Sequence, residues 1–256
     1  AGEQACVAGA VGPLGGGLER LGSTSLEEAR SIVREQIDAL VEAGVDCLML
    51  ETFRDMNEIR AAVEAARAVA GPELVIVAHL SIEDDGRLQD GTSIEDFTRA
   101  LDGMPVDAIG LNCSSGPRVM LETMEKMGAL THKPLSALPN AGLPAGVDGR
   151  NIYLCSPEYM AHYAARFLEA GARIVGGCCG TTPEHIREIG NEVRKLDLPR
   201  TSTVTVEAPV ARVERRGKVP VAEKRRLGAK LGEGRVVTVV ETIPPRVRDA
   251  SVDTSG

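Results

Sequence analysis

Cys178 and Cys179 stand side by side in GGCCGTTPEHI, residues 176–186, between glycines and just ahead of a helix-start signal. Adjacent cysteines seldom pair with each other, because disulfide geometry strains so short a loop. The glycines permit a sharp backbone bend, so the alternative to chance is that both sulfurs turn toward one target. A third thiol, Cys113, follows another apolar run in IGLNCSSGP. Three thiolates at one point suit a zinc ion, which takes sulfur ligands in tetrahedral geometry and, when the protein supplies only three, keeps a position for substrate. The 65 residues separating Cys113 from Cys178 exclude a zinc finger, whose ligands come in close pairs. Two other uses of the same atoms stay open: free cysteine is often a small buried hydrophobe, and the doublet could form a vicinal redox disulfide. Cys6, Cys47 and Cys155 read as core or loop residues. His79, His132, His162 and His185 lack metal-like spacing and read as structural.

These thiols need elements to hold them. From the start to about residue 197 the chain repeats strand, loop, helix. The short apolar runs CVAGAV, VDCLMLE, LVIVAHLSI, VDAIGLN, LSAL and ARIVGG are continuous rather than alternating, as buried parallel strands are. Between them lie amphipathic helices with readable ends. Ser25 with Glu28 and Asp55 with Glu58 open two of them; Ser156-Pro157 and Thr181 or Thr182 before Pro183 open two more. Shorter helices are expected over about 93–101 and 117–127. Strands alternating with helices give a parallel sheet, either an open doubly wound sheet or a (β/α)8 TIM barrel. No GxGxxG follows the first strand, and the polar, glycine-rich segments follow many different strands. Both facts favour the barrel. Six of eight strands are counted, which predicts a barrel truncated at its N-terminus, with exposed edges and an open core. Two polar residues also end strands: Glu51 in LMLETF, a carboxylate that needs a cation or faces solvent, and Asn140 in PNAGLP, which also reads as a turn residue.

GLNCSSGP followed by GGCCGTTPEHI resembles the homocysteine S-methyltransferase family, the zinc-thiolate enzymes that make methionine. VAGAVGP, CLMLETFRDMNEIRAAVEAAR, VIVAHLSI and PLSALPNAGLP agree with it in order, so the resemblance covers nearly all of residues 5–196. It implies a (β/α)8 barrel with Zn2+ held by Cys113, Cys178 and Cys179, and Asn140 as a fourth ligand before substrate enters. It further implies that Glu51 holds the substrate amino group and that Asn112 shapes the ligand loop and substrate site. The implied reaction is transfer of a methyl group from a small-molecule donor, methyltetrahydrofolate or S-methylmethionine, to the sulfur of homocysteine held on zinc as a thiolate. The alternative is a non-catalytic barrel fragment that binds zinc or thiols. The family's opening DGAMGT-like and NTFGAN-like blocks are absent.

The tail resembles something else. RVVTVVETIPPR, 235–246, is similar to the first strand of a methylenetetrahydrofolate reductase domain, with Glu241 at the position of its acidic residue and Thr242 and Ile243 where aromatics are usual. This divides the chain into a barrel at 1–197, a basic linker at 198–234 and the start of a reductase-like domain at 235–256, within a parent that fuses both activities. Residues 211–235 carry nine Lys/Arg against three Glu, while 20 basic and 34 acidic residues fill the rest. Broken by Pro209 and Pro220, the tract reads as a solvated linker rather than a nucleic-acid site. With 2% aromatics and no Trp, base-stacking surfaces are not expected either. No apolar run reaches a membrane span and no signal peptide opens the chain. Six scattered cysteines point to a reducing, cytoplasmic setting.

Overall fold

The computed structural model describes residues 5–15, 24–147, 150–196 and 225–240. In chain order the elements are β1 (Ala8–Val11), α1 (Leu26–Glu42), β2 (Cys47–Phe53), α2 (Met56–Ala70), β3 (Val75–Leu80), α3 (Ile94–Gly103), β4 (Ala108–Asn112), α4 (Pro117–Gly128), β5 (Leu135–Leu138), β6 (Pro144–Val147), β7 (Arg150–Tyr153), α5 (Pro157–Glu169), β8 (Ala172–Gly177), α6 (Pro183–Lys195), α7 (Arg225–Gly232) and β9 (Val237–Val240). Seven strands pair in parallel in the order β1-β2-β3-β4-β5-β8-β9 and curl into a half-barrel, with helices alternating along the chain, as in a truncated (β/α)8 barrel. All six apolar runs singled out in the sequence are strands of this sheet.

The continuous apolar character of the strands has a direct cause. Cys47 and Met49 of β2, Val75 and Val77 of β3, Ala108, Leu138 and Ile174 line one face, while Leu48, Leu50, Ile76, Ala78 and Leu80 pack with the helices on the other. Both faces are buried, so both sets of alternate positions are mainly apolar. Each helix contributes one apolar stripe, as with Ala29, Val33 and Ile37 of α1. A side chain fixes the start of several: Ser25 Oγ accepts from Glu28 N–H, Asp55 Oδ1 from Asn57 and Glu58 N–H, and Ser156 Oγ from Tyr159 N–H. At α6 the cap is Thr182, and the reciprocal partner is His185: its Nδ1 accepts from Thr182 N–H while Nε2 meets the Cys155 carbonyl.

Three features depart from the expected layout. A two-stranded antiparallel hairpin, β6–β7, stands between β5 and α5 where a polar loop was expected. The expected basic linker contains α7, whose Leu227 and Leu231, one turn apart, are buried on the concave face of the sheet. An i, i+4 apolar pair is enough to seat a helix, and the surrounding charges hide it. Val237–Val240, expected to open a separate domain, pairs with β8 in this same sheet; Glu241 lies outside the described residues. No helix among the described residues is long and apolar enough to cross a membrane.

Candidate metal centre

Convergence of the three cysteines follows from strand order. β5 lies between β4 and β8, so the tips of β4 and β8 are two strand spacings apart, about 10 Å. The loop after β5 laces both neighbours together. Cys113 N–H donates to the Leu138 carbonyl at 3.1 Å and Asn140 N–H to that of Ser115 at 3.1 Å; Cys178 N–H donates to Pro139 at 2.9 Å and Ala141 N–H to Cys179 at 2.9 Å. Cys113 and Ser114 turn inward with φ of 57° and 56°.

The result is a compact sulfur cluster. Cys113 Sγ lies 3.7 Å from Cys179 Sγ, Cys178 Sγ lies 4.0 Å from Cys179 Sγ, and all three fall within 4.8 Å of one another. Four sulfurs around a tetrahedral zinc at ~2.3 Å stand ~3.8 Å apart, close to the two separations from Cys179. Each cysteine is partly exposed and free of disulfide. A hydrogen bond from Cys178, above all, brings the Cys113 thiol down to about 5, outweighing its burial, with the Ser114 N–H, Cys179 and the Asn140 side chain adding to it. Burial and then the charge of Cys113 push Cys179 up. A thiolate cushioned by two thiols is a ready cation site.

Asn140, nearly fully buried, braces the cluster: its Oδ1 accepts from Cys179 N–H at 3.1 Å. Asn112 joins strands. Its Oδ1 accepts from Thr52 N–H at 2.7 Å, and its Nδ2 donates to Thr52 Oγ1 at 2.9 Å and, more loosely, to Glu51 Oε2 at 3.4 Å. Glu51, at the end of β2, is thereby linked to the residue preceding Cys113. Thr52 has φ 67°, costly for a β-branched residue and held by the two Asn112 bonds. Thr52, Cys113 and Ser114 are the non-glycine residues with positive φ among the described residues. Backbone strain of about 1–3 kcal/mol each is thus collected at this one place.

Sequence reasoning missed two contributors, Thr52 and Tyr153. Tyr153, ending β7, packs over Gly180 beside the doublet; burial, then the charge of Cys179, pushes its phenol up. The Asp148-Gly149 dipeptide between two apolar-rich stretches is the hairpin signal that could have located it. Cys47 has no place in the site: buried in β2, its thiol is pushed up to about 12, chiefly by burial.

The curled parallel sheet carries at its strand tips a three-thiol cluster that could hold a metal ion. The sequence profile of the family "homocysteine S-methyltransferase" matches residues 1–193, and the chain belongs to that family. It is 36% identical over 198 residues to methionine synthase of Mycobacterium tuberculosis (strain ATCC 25618 / H37Rv), covering 75% of this chain and 16% of that protein. Against methionine synthase of Mycobacterium leprae (strain TN) it is 35% identical over 227 residues, covering 85% and 18%. The chain therefore spans less than a fifth of these relatives. Among solved structures, the metallated form of the homocysteine methyltransferase MmuM from Escherichia coli superposes with a TM-score of 0.59 at 29% identity, covering 73% of this chain and 60% of that one.

Proposed function

We propose that this chain binds one zinc ion through Cys113, Cys178 and Cys179 and methylates homocysteine to methionine. The observation that carries the reading is the sulfur spacing: three thiols from two distant strand tips lie within 4.8 Å of one another, two of the separations, 3.7 and 4.0 Å, close to the edge of a zinc tetrahedron. Zinc, when bound, lowers the pKa of an incoming thiol and fixes its direction. The remaining work belongs to the chain. Glu51 receives the substrate ammonium, Asn112 holds that carboxylate relative to Cys113, and Asn140 steadies Cys113 and Cys179. The thiol proton passes to water, the sulfur lone pair forms the new S–CH3 bond, and the donor departs with the electron pair of the bond it loses. Methyltetrahydrofolate and S-methylmethionine are the candidate donors, and the reductase-like tail favours the folate. A reducing compartment such as the cytoplasm keeps the three thiols available.

The test is methionine formation from homocysteine with each donor, by the zinc-loaded chain and by Cys178→Ser. Donor-dependent product that Cys178→Ser fails to make supports the proposal. Zinc binding without product from either donor leaves a metal-binding barrel and contradicts it.

A further inference from the structure

α7 packs where no other described helix does. Helices α1 to α6 join the core on the convex side of the sheet, through residues such as Val33, Ile59, Phe97, Met120, Phe167 and Ile189. Leu227 and Leu231 of α7 instead meet Cys47, Val75 and Ile174 on the concave side. The helix reaches across the curl. Lys230 Nζ hydrogen bonds to Cys6 Sγ, just ahead of β1, at 3.8 Å, and the chain then runs on into β9 along the outer edge of β8. The interior of a closed (β/α)8 barrel is filled by side chains of its own strands and leaves no room for a helix. While α7 occupies that interior, the two ends of the sheet cannot meet.

We propose that α7 is a removable wedge: it holds the sheet open from inside and leaves when two further βα units close the sheet between β8 and β1. The wedge acts whatever the cysteines bind. Two observations mark its seat as provisional. His79 and Ser136 alternate with Val77 and Leu138 and so point to the concave side; both are fully buried, and neither has a side-chain hydrogen-bond partner among the described residues. A permanent cover of this face would satisfy them. The helix itself is weak, with eight residues and Gly228 in its interior, too short to stand without its two leucines. The order of strands defines the partner. β1 to β5 and β8 follow one another around the sheet in chain order, and consecutive strands of this kind lie side by side. Units that close the gap therefore enter ahead of β1, and the first of them takes the edge of β8 on which β9 lies.

Hydrogen exchange read by mass spectrometry tests the wedge in two chains. In the parent, the amides of α7 and β9 should exchange as one set, about ten-fold or more faster than those of β3 and β4, because the wedge opens without global unfolding. Exchange of all four elements at a single rate would overturn the proposal. The second chain carries, ahead of residue 1, the segment of MmuM that precedes its superposed part. There α7 should exchange about 100-fold faster than in the parent, with β8 still protected by the strand that replaces β9. Protection of α7 equal to that in the parent overturns the proposal, whether the added strands are protected or not. Should the extended chain not fold, the rates in the parent decide alone.

Discussion

Asn112 does more at the residue scale than the family resemblance assigns to it. Its side chain satisfies the backbone N–H of a threonine held at φ 67° and reaches Glu51 as well, so two strand tips move as one. Asn112→Ala is expected to cost about 1–3 kcal/mol, the penalty for unpairing buried polar groups, read as a lower urea midpoint. Under the proposed function it should also raise the homocysteine KM more than it lowers kcat, because Glu51 loses one of its partners. Gly180→Ala meets both the positive φ and the Tyr153 ring. It is expected to lower stability by at least about 1–2 kcal/mol and to weaken zinc binding, measured by melting and chelator competition. The cysteines and glycines of GGCCG were legible because thiols and bends are properties of residue type. Thr52 and Tyr153 were not, because their roles come from a left-handed backbone and a long-range contact that no local pattern encodes.

At the scale of elements, the metal centre depends on β5 more than on any residue within it. That strand separates β4 from β8 and supplies the loop whose carbonyls accept from both cysteine segments. Its short run was readable as a strand, as were the other five, because strands buried on both faces have few polar positions to blur them. α7 escaped for the opposite reason: Leu227 and Leu231 sit among lysines and arginines, so composition points to solvent while two side chains are buried. With both leucines against Cys47, Val75 and Ile174 on the concave face, Leu231→Ala is expected to destabilise the chain by about 2–5 kcal/mol, seen as a lower thermal midpoint. A midpoint within error of the parent would show that α7 does not cover that face in solution.

For the whole molecule, pH is an informative variable. His79 on β3 is fully buried, neither ring nitrogen has a partner among the described residues, and burial brings its pKa down to about 3. In the unfolded chain the imidazole titrates near ~6.5, so below that value unfolding takes up a proton. The contribution is complete above pH ~6.5 and is lost as pH falls toward 3, by up to about 1.4 kcal/mol per unit. Between pH 7 and 5 the parent should therefore lose about 2 kcal/mol more than His79→Leu, measured by urea unfolding at both pH values. The central claim concerns the sulfur cluster, and zinc-edge X-ray absorption on the loaded chain tests it most directly. Three sulfurs at ~2.3 Å, becoming four when homocysteine is added, is the predicted result. Fewer than three sulfurs, or a coordination shell that homocysteine leaves unchanged, would contradict it.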